Sequence, residues 1–405
     1  MRWAVVLATI LLLAEAACGA DAAPAGAAPA ADAGPSGGET AARDAPAPKP
    51  GTPVSESTET PAIDAVQEPP GTPGKDKLPQ PEEKDLEAIG SAPVGVVVHT
   101  ALPAGGRPFS FYVPKSYDKT RSYPLLVTCT GTGIGRENIR RAWHLAERFD
   151  LLVVSPDTWA IYGKPGSDVR VGETRQAWSR SGQTVDVPMI VRDQAEILRD
   201  LQADSRAIGD VVALLQKTYS IDKRLVVLTG FSGGAWVAYY AGLSDPARYA
   251  GISIRSGTFR AGALPKRIAK ARAMPISVVI GDRDLDLVLK DTAKAETFFK
   301  QRQFENFQVE RLPHSGHDNR PEVAGNFVDY LRGELKARER AEAMKQWEKY
   351  YAAGKAAAAH GDADKARHWL RKAADLEAAH DLPPKAAELL KTLDANPEDA
   401  RKPAP

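Results

Sequence analysis

The chain has 405 residues, enough for one large domain with appendages or for two of ordinary size, and its 53 Lys and Arg against 52 Asp and Glu leave a formal net charge of +1. With that balance, and with no basic stripe interleaved with aromatics, there is no electrostatic footprint for nucleic acid, and no such partner is expected.

The first residues, MRWAVVLATILLLAEAACGA, combine one Arg, an apolar run from Ala4 to Ala14 and small residues beyond it. The run falls well short of the roughly 20 residues that span a bilayer, so residues 1–17 are expected to be a signal peptide and the chain to be exported, as a secreted, periplasmic or envelope-tethered protein. Two cleavage patterns compete. Ala14-Glu15-Ala16 suits an ordinary signal peptidase, whereas Ala16-Ala17-Cys18-Gly19 resembles the end of a bacterial lipobox, in which a lipidated Cys18 would tether the chain to a membrane. In either case Cys129 has no disulfide partner, so the fold must rest on a hydrophobic core, and Cys129 in LLVTCTG reads as a buried strand residue.

No Phe, Trp or Tyr occurs from Ala4 through Pro108, and 13 of the 31 prolines fall between residues 21 and 81. Such a segment cannot bury enough apolar surface to offset the entropy of ordering it, and residues 18–90 are expected to be a disordered Pro/Ala-rich linker. Order is expected from about Val94, where VGVVVHT and PFSFYVP read as a hairpin closed by Pro103-Ala104-Gly105-Gly106.

Apolar runs then alternate with helical stretches. Strands are expected at Tyr123–Thr130, Leu151–Ser155, Arg224–Thr229, Ala250–Ile254, Pro275–Ile280 and Gln308–Leu312. Helices are expected at Arg136–Phe149, Arg192–Tyr219, Gly233–Leu243 and Leu287–Gln301, and from Pro321. Strands apolar on both faces and separated by helices imply an α/β fold, a mostly parallel sheet covered by helices with the first hairpin as an antiparallel edge. Residues 91–338 form this expected domain. Past Arg338 the composition turns to Ala, Lys, Glu and Asp at helical spacing, so residues 339–405 are expected to be a separate helical tail.

The strand RLVVLT runs into Gly230-Phe231-Ser232-Gly233-Gly234 and then into the helical AWVAYYAG. A nucleophile on a sharp strand-to-helix turn needs neighbours without side chains two residues away, which Gly230 and Gly234 supply. Ser232 is thus the expected nucleophile, with the Gly233 N–H at a helix N-terminus as one oxyanion donor. A base should follow a later strand, and of seven histidines only the pair in LPHSGHDN does so. His317, after Gly316, is preferred, with His314 as the alternative. The orienting acid should lie between them in PISVVIGDRDLDLV; Asp284 is preferred for its Gly-x-x-Asp spacing from Gly281, with Asp282 next. The second oxyanion donor is expected from Thr130-Gly131-Thr132-Gly133, at the Thr132 N–H. No metal or organic cofactor is expected, since no HExxH or paired-cysteine spacing occurs.

YPLLVTCTGTG, the run from YSIDKRLVVLTGFSGGAW to ISIRSG, VVIGDRD and LPHSGHD together resemble the α/β-hydrolase superfamily. Within it the likeness is to the poly(3-hydroxybutyrate) depolymerase-like and feruloyl or acetylxylan esterase group, and it covers roughly residues 94 to 335. The resemblance implies ester hydrolysis through an acyl-enzyme, with Ser232, Asp284 and His317 at the matching positions. The chain departs from the pattern at Thr130-Gly131, where relatives carry His-Gly to support the oxyanion loop. Polyesters, esterified polysaccharides and small esters are all open as substrates. A catalytically silent envelope adaptor and a serine peptidase of the same fold are the alternative readings.

Residues 156–191 are too long for an ordinary connection and are expected to form a lid or substrate wall. Within or beside it, Trp159, Tyr162 and Trp178 could stack on a substrate or pin the loop, and Arg170, Arg175 and Arg180 could meet a carboxylate or solvent. In the tail, Gly354, Gly361-Asp362, Ala366, Leu370 and Ala373 resemble one tetratricopeptide helix-turn-helix unit, with Pro384–Leu393 as a cap. A lone unit is expected to pack on the domain rather than to form a peptide-binding array, and it offers a surface for protein contact.

Overall fold

A computed structural model describes residues 79–86, 89, 93–103, 105–130, 135–161, 163–164, 170–178 and 184–395, together with 58–61; for 58–61, 130, 170–178 and 184–191 only the backbone is described. The chain divides into units Met1–Ser55 and Glu56–Pro405, and every described residue belongs to the second. The expected leader and Cys18 lie outside the described residues. Among the described residues no helix is long and apolar enough to cross a membrane.

The elements run β1 (Thr58–Pro61), β2 (Glu83–Asp85), β3 (Val97–Ala101), β4 (Pro108–Tyr112), β5 (Tyr123–Thr130), α1 (Ile139–Ala142), α2 (His144–Phe149), β6 (Leu152–Pro156), β7 (Arg170–Trp178) and β8 (Thr184–Arg192). They continue with α3 (Gln194–Thr218), β9 (Ile221–Phe231), α4 (Gly234–Ser244), β10 (Gly251–Arg255), β11 (Ile276–Gly281), α5 (Asp286–Gln301), β12 (Phe307–Leu312), α6 (Glu322–Ala359), α7 (Ala363–His380) and α8 (Lys385–Ala395). Nine strands form one sheet in the order β12-β11-β10-β9-β5-β6-β4-β3-β2. Neighbours from β12 to β6 are parallel, and β4 and β3 pair antiparallel at the edge. This is the mostly parallel, helix-covered sheet with an antiparallel edge that the alternating pattern implies.

Alternation along each strand divides the core in two. On one face Val127, Cys129, Leu228 and Ile254 meet α3, α4 and Phe299 of α5. On the other, Leu126, Val153 and Val227 meet α1, α2 and Phe327, Val328 and Leu331 of α6. Both faces being covered, the central strands are apolar throughout. Cys129 is fully buried there, and burial pushes its thiol pKa well above the ordinary range, as befits an inert core residue. The Asp193 carboxylate caps α3 by accepting the Ala195 N–H at 2.7 Å and the Glu196 N–H at 3.2 Å, which stops the helix short of Arg192.

Two expectations need correction. Order begins before residue 91, because β1 and β2 fall inside the expected linker. β1 pairs with β8, and β2 extends the main sheet beside β3. Pairing of main chain to a strand edge needs no apolar side chains, so composition does not register it. The Glu83 carboxylate reinforces β2: it accepts both Arg140 Nε at 2.7 Å and Arg140 Nη2 at 2.8 Å, and it lies 3.2 Å from His99 Nε2.

Residues 156–191, expected to form a lid or substrate wall, contain the β7–β8 hairpin, which with β1 makes a separate three-stranded sheet.

The other correction is that the expected boundary at residue 338 lies within α6, which runs unbroken from Glu322 to Ala359. No proline interrupts it, and Arg224 of β9 forms an ion pair with Glu339, so domain and tail share one helix. The second half of α6 packs on α7, with Leu370 at the Gly354 backbone.

Candidate active site

The turn after β9 imposes a left-handed backbone on a residue with a side chain. Ser232 has φ 53°, a conformation that costs a non-glycine residue roughly 1–3 kcal/mol and persists only where the surroundings enforce it. Here the Ser232 N–H donates to the Arg255 carbonyl at 3.2 Å, and the Ser232 carbonyl accepts the Ala235 N–H at 3.2 Å and the Thr258 N–H at 3.1 Å. A Cβ on Gly230 would sit 2.7 Å from the Ala235 backbone, so the first glycine of the pentapeptide is required by the close return of α4 over β9. Ser232 itself is buried.

Asp284 and His317 meet beside this turn. Asp284 follows β11 and is completely buried; His317 lies in the loop between β12 and α6 and is 7% exposed. His317 Nδ1 lies 2.7 Å from Asp284 Oδ1, and the same oxygen accepts the Leu285 N–H at 2.7 Å. The His317 ring lies 5.0 Å from the Phe231 ring, which holds it over the end of β9. Ser232 Oγ and His317 Nε2 are both buried and, among the described residues, neither has a hydrogen-bond partner. They are the two atoms between which a nucleophile's proton would move, and such contacts often tighten only when substrate binds.

The alternatives fall elsewhere. His314 is exposed, with φ 55°, and its Nδ1 pairs with Arg283 Nη2 at 2.8 Å. Asp282 accepts the Ser315 N–H at 3.3 Å, so it braces the loop that carries His317. Desolvation raises the Asp282 pKa, but the His314 and Ser315 N–H groups and the nearby His314 and Arg283 outweigh it and hold the carboxyl below the usual range. Gly281 is required because its Cβ would fall 2.1 Å from the Ser315 carbonyl oxygen, whereas Gly316 has open room for a Cβ. It is therefore Asp284 that selects between the two histidines.

The Gly233 N–H stands at the N-cap of α4, where the helix dipole favours a developing oxyanion. Gly131, Thr132 and Gly133 lie outside the described residues. The far end of their loop is anchored: the Arg136 N–H donates to Asp157 Oδ1 at 2.7 Å, and Ser155 Oγ donates to the Gly135 carbonyl at 3.1 Å.

Sequence reasoning missed the anchor of the loop after β6. Asp204 of α3, completely buried, pairs with Arg107 Nη1 at 2.6 Å and accepts the Trp159 and Ala160 N–H groups at 2.9 Å. Burial pushes its carboxyl up to about 6, against the pull of Arg107 and the two N–H groups. The Arg107 guanidinium lies 3.2 Å from the Trp159 ring centroid, so Trp159 is held by this clamp. Nothing local in the sequence marks it, because Arg107 and Asp204 are 97 residues apart. Tyr162 and Arg180 lie outside the described residues, and Arg170, Arg175 and Trp178 belong to the backbone-only hairpin. A cleft of about 650 Å³ opens beside Thr258, walled by Trp236, Phe259, Arg260, Leu287 and Phe298. Among the described residues no group of three or more His, Cys, Asp and Glu is placed to hold a metal ion.

The sequence model of the phospholipase/carboxylesterase family matches residues 185–332, a segment that contains Ser232, Asp284 and His317 and supports carboxylic ester hydrolysis. No curated protein matches the chain in sequence. Among solved structures, it is similar to a ferulic acid esterase from Anaeromyces mucronatus at 14% identity, covering 64% of this chain and 92% of that one with a TM-score of 0.43. It is also similar to an S-formylglutathione hydrolase from Staphylococcus aureus at 13% identity, covering 61% and 99% with a TM-score of 0.41.

Proposed function

We propose that this chain is an exported serine esterase that cleaves carboxylic esters through an acyl-enzyme. The observation that carries the reading is the 2.7 Å contact of His317 Nδ1 with the buried Asp284 carboxylate, next to a serine held at φ 53°. In this scheme Ser232 Oγ attacks the ester carbonyl carbon while His317 Nε2 takes the hydroxyl proton. Asp284 holds the imidazole with Nε2 free to accept and stabilises the imidazolium. The Gly233 N–H, with the Thr132 N–H from the facing loop, stabilises the oxyanion. Collapse of the tetrahedral adduct passes the proton from His317 to the leaving alcohol, and water then repeats the sequence to release the acid. The cleft beside Thr258 would receive the acyl or alcohol part of a small ester, a polyester end or an esterified polysaccharide.

Export rests on the apolar run at Ala4–Ala14, and a lipidated Cys18 followed by a Pro/Ala-rich tether would hold the domain away from a membrane. The helical tail would serve as a packing and contact surface.

The test is labelling by a fluorophosphonate probe alongside hydrolysis of p-nitrophenyl acetate. Wild type should label and turn over, and Ser232→Ala should do neither. A folded wild type inert in both assays would leave the catalytically silent adaptor as the better reading. Activity persisting in Ser232→Ala would remove the serine from its role.

A further inference from the structure

Arg255 ends β10 and is almost wholly buried at 3% exposure, an unusual place for a guanidinium. It touches both arms of the candidate site. Its carbonyl accepts the Ser232 N–H at 3.2 Å, which helps impose the nucleophile's turn. Its Nη1 donates to Asn319 Oδ1, two residues beyond His317, and its Nε donates to Thr229 Oγ1 at 3.3 Å. Phe231 lies between the two halves, its ring 5.9 Å from the Arg255 guanidinium carbon and 5.0 Å from the His317 ring. Arg255 also lines a small cavity with Ser315 and Gly316, directly under the base-bearing loop.

We propose that Arg255 is a positioning residue that ties the His317 loop to the Ser232 turn through Asn319. This rests on the esterase reading given above. The physical reason is rigidity. A loop that must hold a base within a fraction of an ångström of its productive position needs a rigid support, and a planar guanidinium with two directed bonds supplies one.

Burial pulls Arg255 down to about 10, with Glu322 acting in the opposite direction, so the side chain is charged at neutral pH. The other charged groups facing this region are Asp284 and Arg283 from the loop after β11, Asp318 and Arg320 from the loop after β12, and His144 of α2 through its contact with Glu322 at 3.3 Å.

Three variants test the tether. Arg255→Met removes the guanidinium, Asn319→Ala removes its partner, and Arg255→Lys keeps a charge without the directed pair. Arg255→Met should lower kcat roughly 10- to 100-fold with KM within about twofold, the size expected when a reacting group is misplaced by about an ångström. Asn319→Ala should lower kcat likewise, and Arg255→Lys should not restore the rate.

A readout independent of turnover is the downfield proton resonance of His317 Nδ1–H by NMR. The resonance should broaden in Arg255→Met and Asn319→Ala. A folded Arg255→Met protein with the wild-type resonance would overturn the proposal. Should wild type fail to label or hydrolyse, the esterase reading falls, while the resonance still decides the role of Arg255.

Discussion

Asp284 Oδ1 lies 2.7 Å from His317 Nδ1 and accepts the Leu285 N–H at the same distance, so one buried oxygen both orients the base and is held by the chain's own backbone. In Asp284→Asn the amide can present an N–H to Nδ1, which favours the wrong tautomer and leaves Nε2 unable to accept the serine proton. We expect kcat to fall by about 10³- to 10⁴-fold with little change in KM. Asp282→Asn should lose far less, since it is Asp284, not Asp282, whose carboxylate pairs with His317 Nδ1. Steady-state turnover of p-nitrophenyl acetate by both variants checks this, and equal losses would contradict it.

Gly230→Ala would place a methyl group 2.7 Å from the Ala235 backbone. Neither partner is a flexible side chain, so β9 and α4 must separate. A loss of about 1–3 kcal/mol of stability is expected, together with loss of the Ser232 turn and hence of fluorophosphonate labelling. Gly316→Ala has open room and should keep both Tm and labelling. Thermal melts of the two variants provide the comparison.

The Arg107–Asp204 pair is buried on both sides, so removing one partner strands the other. Asp204→Ala should destabilise the domain by about 3–5 kcal/mol in urea denaturation at neutral pH.

The pH dependence of the Asp204 contribution has an uncommon sign for a carboxylate. Its folded pKa, about 6, is raised above the unfolded value of 3.8. The titrating part of its contribution, on the order of 3 kcal/mol, is therefore fully present below about pH 4 and is lost as pH rises through 6, on top of the cost of stranding Arg107 at neutral pH. The stability gap between wild type and Asp204→Asn should narrow by that order between pH 4 and pH 6.5. A gap that widens would reverse the assignment.

In the tail, Glu377 is buried and accepts Trp347 Nε1 at 2.8 Å, the Ala386 N–H at 2.7 Å and the Ala387 N–H at 3.0 Å, joining α6, α7 and the start of α8. Glu377→Ala should expose the α8 amides to hydrogen exchange and lower tail stability by about 2–4 kcal/mol, leaving ester turnover unchanged. A parallel fall in kcat would show that the tail supports the active site.

Much of this architecture was legible in the chain. Apolar runs such as LLVTC and LVVLTG are short, bounded and continuous because both of their faces are buried, and this marked the central strands. The Gly230-Phe231-Ser232-Gly233-Gly234 turn was legible because the backbone it needs excludes a Cβ at Gly230. The edges were not. β1 and β2 are held by main-chain pairing and by Glu83, and the sequence around them is rich in Pro, Glu and Lys. The preference for His317 drew on Gly316, yet the structure leaves Gly316 free of close contact; the pairing with Asp284 is what distinguishes the histidine.

By itself, then, the order of residues determined the layer structure and the tight turn at Ser232, since strand periodicity and the steric needs of such a turn are local properties of the chain. The tertiary structure alone decided which acid and histidine meet beside it and what supports them. Asp204 meets Arg107 across 97 residues and Arg255 meets Asn319 across 64, and no local pattern records such pairs. Their buried charges are tolerated only because the folded chain delivers partners from distant segments.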